Sequence, residues 1–206
     1  MLYLFDGPGE LDGSFIERAA PLLSAQRYEK VMSYRFSKDR ILSAASFLLL
    51  RLALKENYGI DEPVIFDSNE NGKPFLRCYP RIYFNLSHCR SAAACVVSDN
   101  EVGVDVQEIT PLSDKLACRV LTDEEYTAYK ASPRPDELFC ELWTVKESWL
   151  KKTGRGVSAD MSSVSAQSID EKTLFRFKDY FCCVTVRSAV PRRVELCDLN
   201  SMLLRN

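Results

Sequence analysis

The sequence predicts a mixed α/β (α+β) chain in which each half sets one long helix beside several short strands. Three observations predict it. Ile41, Ala45, Leu48 and Leu52 share one face of a helix running from Lys38 to Tyr58, and Gly59 ends it. Leu138, Leu142, Val145 and Trp149 recur at i, i+4, i+7 and i+11, an apolar stripe on a second helix that begins near Pro135 and stops at Gly154 and Gly156. Val102, Val104 and Val106 alternate with Gly103, Asp105 and Gln107, which is a strand with one buried and one polar face.

The other elements follow in order. Residues 1–6 alternate weakly and read as a first strand. Asp12 to Arg35 reads as helix broken at Pro21. Val64 to Asp67 is a short strand, followed by SNENGKPFL, where Asn71-Gly72 signals a turn and Pro74 fixes the exit. Ile82 to Phe84 is a strand leading into NLSHC. Ala92 to Val97 and Val102 to Val106 flank Asp99-Asn100 as a hairpin would. Leu112 to Lys130 reads as one helix with a capping segment, TDEEY, inside it. A Ser-rich connection covers residues 157–170. Leu174 to Phe177 and Phe181 to Arg187 are strands about Asp179-Tyr180, and Val194 to Cys197 is a last one.

A chain of 206 residues makes one ordinary domain or two small ones sharing an interface. A net charge of −2 gives no reason to expect nucleic-acid binding. The charge is uneven, however. Arg27, Lys30, Arg35, Lys38, Arg40, Arg51 and Lys55 crowd a stretch whose acids are Glu29, Asp39 and, at its edge, Glu56. That excess suits a phosphate-bearing small ligand or an ordinary solvated face. The eight cysteines hold no C-x-x-C pair, and Cys95, Cys182 and Cys183 lie in apolar runs, as reduced buried thiols do. No secretion signal opens the chain, and its longest uncharged apolar run is too short for a bilayer, so a cytoplasmic protein is expected.

The chemistry concentrates in few places. Glu147 and Lys151 lie four apart and point away from the apolar stripe, either as a surface pair or as part of a site. Asp105 on its strand and Glu147 on its helix form a candidate pair of oxygen ligands for a hard cation. His88 is the only histidine, which excludes zinc sites built on paired histidines. Ser87 and His88, adjacent in a strand, face opposite ways and make a poor triad. Glycine-rich nucleotide loops are absent from the sequence.

GKP, FNLSH, GVDV and W-x-x-KES-x-x-K-x-x-G-x-G occur in that order, and the set resembles the 4′-phosphopantetheinyl transferases of the surfactin-synthetase-activating type from about Arg27 to Val157. The resemblance implies two similar α/β subdomains forming a pseudo-dimer, 1–102 and 103–206, each with a small antiparallel sheet packed on a long helix. It implies transfer of 4′-phosphopantetheine from coenzyme A to a serine of an apo acyl or peptidyl carrier protein, with Mg2+, by a monomer that needs neither membrane nor nucleic acid. By position, Asp105 and Glu147 match metal ligands, and Gln107 stands where the family usually has a further acid. Glu125 matches another acidic residue near the metal, and either it or Glu147 would take the serine proton. Lys151 matches a lysine on the diphosphate. Ser87 and His88 match phosphate contacts, Lys73 and Pro74 the turn beside the adenine, and Arg27, Lys30 and Ser43 the contacts to the 3′-phosphate. Gln107 brings no charge, which leaves a non-catalytic coenzyme A- or carrier-binding module as the alternative. For the carrier, Lys115, Leu116, Arg119 and Val120 at helical spacing suggest a docking face.

Overall fold

The computed structural model describes residues 1–154, 160–186 and 189–204. In chain order, the strands and helices of the first half are β1 (Leu2–Phe5), α1 (Phe15–Ala19), α2 (Ala25–Met32), α3 (Ser37–Tyr58), β2 (Phe66–Ser68), β3 (Pro74–Leu76), β4 (Tyr83–His88) and β5 (Ala93–Ser98). Those of the second half are β6 (Val104–Glu108), α4 (Asp114–Val120), α5 (Asp123–Ala131), α6 (Pro135–Thr153), β7 (Thr173–Arg176), β8 (Tyr180–Val184), β9 (Pro191–Arg193) and α7 (Leu196–Leu203). Among the described residues, no helix is long and apolar enough to cross a membrane.

The mixed α/β architecture is as the sequence predicts. One sheet runs β4-β5-β1-β9, another β6-β8-β7, and β2 with β3 forms a hairpin across the Asn71-Gly72 turn. Gly72 takes φ 80°, the left-handed region that glycine enters without strain. The three-stranded sheet is antiparallel, and the first sheet is antiparallel except where β9 runs parallel to β1. Each sheet has its long helix. The residues of α3 from Ile41 to Leu54 are all buried, more than a one-sided stripe requires, because neighbours cover this helix all round. The stripe of α6 enters a second core with Val120, Tyr129, Met161 and Cys183. A third cluster lies between the sheets: Leu2, Leu4, Ala94 and Val96 on one side, Val104, Val106, Cys182 and Val184 on the other. The four residues of β1 are buried for that reason, Tyr3 and Phe5 facing the α3 core and Leu2 and Leu4 facing the other half.

Several sequence expectations are corrected. Ala93–Ser98 and Val104–Glu108 do not form a hairpin. β5 pairs with β1 on one side and β4 on the other, so both its edges are filled, and β6 pairs with β8. The expected helix over Leu112 to Lys130 is two helices. Thr122 accepts a hydrogen bond from the Glu125 N–H and Glu125 accepts one from the Thr122 N–H, a reciprocal cap that begins α5 anew. NLSH lies inside β4 rather than beyond it. The last strand is Pro191–Arg193, and Leu196 already begins α7. Arg155, Gly156 and Arg187 lie outside the described residues.

Candidate active site

Two strands and one helix position the central side chains. β4 and β6 are joined through side chains rather than a backbone ladder. The Val104 N–H donates to Asn85 Oδ1 at 3.0 Å and the Val106 N–H donates to Ser87 Oγ at 3.2 Å. Alternation along β4 puts Asn85 and Ser87 on this face and turns His88 to the other. The helix approaches the strand at Gly103, where a Cβ would fall 1.9 Å from the Ser148 carbonyl oxygen and 2.5 Å from the Lys152 nitrogen. Only glycine admits that contact, and the contact carries Glu147 and Lys151 on α6 up to Asp105 on β6.

Asp105 is the hub. It is 5% exposed. Its Oδ1 accepts from Ser87 Oγ at 2.9 Å and from Lys151 Nζ at 2.6 Å, while its buried Oδ2 has no partner among the described residues. Lys151 Nζ also reaches Ser87 Oγ at 3.1 Å. The i,i+4 lysine therefore pairs across to the strand, not along the helix to Glu147. Burial pushes the Glu147 carboxyl above its ordinary value, the charge on Asp105 pushes the same way, and Lys151 opposes them. Two buried carboxylates near enough to repel each other, one with an oxygen unpartnered among the described residues, are a donor set that fits a small hard cation completing its shell with water. Among the described residues no group of three or more His, Cys, Asp or Glu gathers to hold a metal. Gln107, two residues on from Asp105 along the polar face of β6, is half-buried and offers an amide.

Cavities extend from this centre. Glu147, Lys151, Asn85, Lys73 and Pro74 line one of about 180 Å³. It shares the Gly72–Pro74 turn with a second of about 340 Å³, lined by Arg27, Lys30, Phe47, Phe66 and Leu86. A third cavity, of about 450 Å³, lies on the Gln107 side between Asp39, His88, Glu108 and Thr110. The first two together offer an aromatic and apolar slot with cations toward each end.

The structure gives several expected residues supporting parts. Ser43 is fully buried and cannot touch a ligand. Its Oγ and carbonyl oxygen accept from Arg27 at 3.0 and 2.6 Å, with Ser46 Oγ at 3.1 Å, so it holds the guanidinium at the cavity wall. Arg27 Nε is buried without a partner among the described residues. Lys73 Nζ donates to the Lys152 carbonyl at 2.7 Å, tying the turn to the C-terminal end of α6. Ser87 is saturated by Asp105, Lys151 and the Val106 N–H. His88 packs edge-on to Tyr34 with centroids 5.3 Å apart, and burial, then Arg27, pulls its pKa down to about 4, so at neutral pH it is a neutral imidazole.

Glu125 is not brought to Asp105 and Glu147 by any hydrogen bond or shared cavity among the described residues. It is 5% exposed; Oε2 pairs with Lys146 Nζ at 2.5 Å and accepts from the Thr122 N–H, and Oε1 accepts from the Ala166 N–H at 2.8 Å. Lys146, 1% exposed, also donates to the Val120 and Met161 carbonyls. This buried pair locks α6 to its neighbours. Sequence reasoning missed Asn85, Gly103 and Lys146. The period of two in NLSH was the available signal for Asn85; the partners of the other two are distant in sequence.

Comparison with known proteins converges. Residues 13–100 match the family described as 4′-phosphopantetheinyl transferase, N-terminal, and residues 101–193 match the 4′-phosphopantetheinyl transferase superfamily. The 4′-phosphopantetheinyl transferase psf-1 of Bacillus pumilus is 33% identical over 169 residues, covering 80% of this chain and 72% of that protein. The 4′-phosphopantetheinyl transferase Sfp of Bacillus subtilis strain 168 is 28% identical over 73% of this chain and 69% of its own length. The 4′-phosphopantetheinyl transferase HetI of a Nostoc species is 30% identical over 76% and 70%.

Proposed function

The chain belongs to the 4′-phosphopantetheinyl transferase superfamily, and from that premise we propose how its residues perform the transfer. The protein is a holo-carrier-protein synthase: it moves 4′-phosphopantetheine from coenzyme A to a serine of an apo carrier protein, and 3′,5′-ADP leaves. The serine oxygen bonds to the β-phosphorus of coenzyme A, the bond from that phosphorus to the bridging oxygen breaks, and the serine proton passes to a base.

Such a transfer needs positioning and charge neutralisation more than covalent help. Arg27 and Lys30 take the 3′-phosphate, with Ser43 acting through Arg27. The Lys73–Pro74 turn flanks the adenine, with Phe47 and Phe66 as further apolar wall. His88, neutral, contacts phosphate as a hydrogen-bond donor rather than as a cation. Lys151 stabilises charge on the diphosphate as the bond breaks. Asp105 and Glu147 are the residues that would hold Mg2+, with Gln107 as a weaker, neutral donor, and the ion would supply charge neutralisation at the diphosphate. Glu147 rather than Glu125 takes the serine proton, directly or through water, because Glu125 is buried and both its oxygens are engaged, by Lys146 and Thr122 on one side and Ala166 on the other. The eight free cysteines suit a reducing compartment, the cytoplasm, and we propose a monomer that acts without nucleic acid or membrane.

The observation that carries these assignments is the orphaned Asp105 Oδ2 beside a Glu147 carboxyl held above its ordinary pKa. The test incubates protein, coenzyme A, magnesium and apo carrier and weighs the carrier. Wild type adds one phosphopantetheine. Asp105→Ala loses at least about a hundredfold in kcat/KM, because positioning and charge neutralisation fail together. Gln107→Ala costs under about tenfold, and Gln107→Glu lowers the magnesium needed for half-maximal rate. A folded Asp105→Ala protein with near wild-type activity would end the metal assignment.

A further inference from the structure

We propose that Ser148 and Thr185 are positioning residues for the transfer: their buried hydroxyl pair fixes how α6 is turned about its axis, and so aims Glu147 at Asp105. The proposal rests on the transferase reading and adds what sets the angle of a carboxyl that reading uses. Among the described residues, no hydrogen bond or ion pair holds the Glu147 carboxyl itself. Its aim therefore depends on the orientation of its helix. Successive residues of an α-helix project about 100° apart, so Lys146, Glu147 and Ser148 point three ways. Lys146 is gripped by Glu125 and by the Val120 and Met161 carbonyls. Ser148 is gripped on the other flank, by β8 and the residue just after it. Its Oγ lies 2.8 Å from Thr185 Oγ1, 2.9 Å from the Val145 carbonyl oxygen and 3.2 Å from Cys183 Sγ. Ser148 and Thr185 are both fully buried. Each hydroxyl carries one proton, and both protons are used when Thr185 donates to Ser148 Oγ and Ser148 donates to the Val145 carbonyl. Glu147 thus projects between two buried grips.

Thr185 is tied at its backbone as well. Its N–H donates to the Gly103 carbonyl at 2.9 Å, and Gly103 is where α6 touches the strand. One residue thus joins α6 to the start of β6, two positions before Asp105. Gly103 sets how near the helix comes, and the hydroxyl pair sets how it is turned. At a radius of about 5–6 Å, a turn of about 10° moves a side-chain end by about 1 Å. A misplacement of that size at reacting groups costs about a hundredfold. Thr144 supplies a control. It is fully buried on α6, one turn before Ser148, but its hydroxyl donates to the Cys140 carbonyl of the same helix at 2.6 Å. Among the described residues, that hydroxyl bonds to nothing outside α6.

The test compares wild type with Thr185→Val, Thr185→Ser, Ser148→Ala, the double variant Ser148→Ala/Thr185→Val and the control Thr144→Val. Melting temperature is measured in chelator and again with magnesium chloride, without carrier. Transfer to a purified apo carrier is followed by mass, with coenzyme A and carrier varied separately. Thr185→Val nearly keeps the shape of the side chain and should melt within about 5 °C of wild type in chelator. It should nevertheless keep less than about half of the magnesium-induced rise. Its kcat should fall at least about tenfold while the coenzyme A KM stays within about threefold. Thr185→Ser should restore both. Ser148→Ala should match Thr185→Val, and the double variant should fall no further, because the two hydroxyls act as one bond. Thr144→Val should stay within about twofold of wild type in kcat. The proposal is overturned if Thr185→Val keeps the wild-type magnesium rise and kcat. It is also overturned if Thr144→Val loses as much, or if Thr185→Ser rescues nothing. Should Thr185→Val fail to fold, Ser148→Ala and Thr185→Ser decide by the same measures. A wild type that adds no mass to the carrier sinks the transferase reading, and the magnesium-induced rise still separates Thr185→Val from Thr144→Val if the pair aims Glu147.

Discussion

Glu147 works at a cost to the resting protein. Its carboxyl is buried beside Asp105, and its pKa is raised by burial first and by that neighbouring charge second. A carboxyl whose folded pKa is raised binds its proton more tightly folded than unfolded. Its stabilising contribution is therefore complete below the unfolded pKa of about 4.3 and lost as pH rises through the folded value. At neutral pH, without metal, Glu147 destabilises the fold, and Glu147→Gln removes the burial of a charge and its repulsion with Asp105. In chelator at pH 7.5 the variant should melt a few degrees above wild type, with the gap closing as pH falls toward 4, while transfer activity collapses. Magnesium should raise the wild-type melting temperature and move that of the variant far less. A variant that melts lower than wild type in chelator would show that Glu147 is paired in solution with a cation such as Lys151. Both acids were legible in the sequence from the strand alternation and the helical spacing. The partner of Lys151 was not, because Asp105 lies 46 residues away and an i,i+4 neighbour is the local default.

At the scale of elements, the site exists because α6 and β6 touch. Gly103 makes the touch possible, and Lys146 with Glu125 clamps α6 from its other side. The two devices fail differently. Gly103→Ala must push the Ser148 carbonyl away from the strand, moving Glu147 and Lys151 together with it. It should lower the melting temperature and reduce kcat/KM at least about tenfold even at temperatures where the variant is fully folded, because catalytic misplacement of an ångström is costly. Glu125→Ala leaves a buried ammonium with carbonyl partners but no countercharge and removes the cap of α5. It should cost about 3–5 kcal/mol in denaturant unfolding. Glu125→Gln keeps the side chain's size and one acceptor and should cost less, and its kcat/KM per folded molecule should stay within about tenfold of wild type. A Glu125→Gln enzyme that is as stable as wild type and a hundredfold slower would restore Glu125 to the chemistry. The sequence made the helices plain because hydrophobic period and caps are local. It misplaced the hairpin at Asp99-Asn100 because a turn signal says that the chain reverses, not which strand it then meets. Here β1 and β4 take both edges of β5. It likewise ran α4 and α5 together, although the reciprocal cap at Thr122 was written in TDEEY.

At the scale of the molecule, the two halves are joined by the cluster between their sheets and by the end of the chain. β9 adds to β1 in the first sheet although the second half's sheet comes just before it in sequence, and Val194 and Leu199 enter the α3 core. The Val194 N–H donates to the Leu4 carbonyl at 2.8 Å. Arg192 pairs with Glu56 at 2.8 Å, and Glu56 accepts from the Tyr3 hydroxyl at 2.8 Å. Arg193 pairs with Asp6 at 3.3 Å, and Asp6 accepts from Tyr180 at 3.2 Å, linking β9 to β8 through the first half. This crossing was invisible in the sequence: three strand residues opened by a proline give no alternation, and proline is admitted because β9 is an edge. Since the cleft lies where the halves meet, the crossing should govern how well Asp105, Lys151 and Ser87 stay aligned with Arg27 and Lys73. Val194→Ala should destabilise by about 1–2 kcal/mol, as the loss of buried methyls does. A chain ended after Val186 loses the strand paired on the outer edge of β1 and leaves that edge of an apolar strand open. It should melt well below wild type and aggregate on warming, with light scattering rising before circular dichroism reports full unfolding. Coenzyme A should protect wild type strongly against heat and the truncated chain weakly, because binding across the cleft rewards only aligned halves. If the truncated chain keeps the full protection, the last strand and helix are decoration on the first sheet, and the cluster between the sheets alone holds the halves in register.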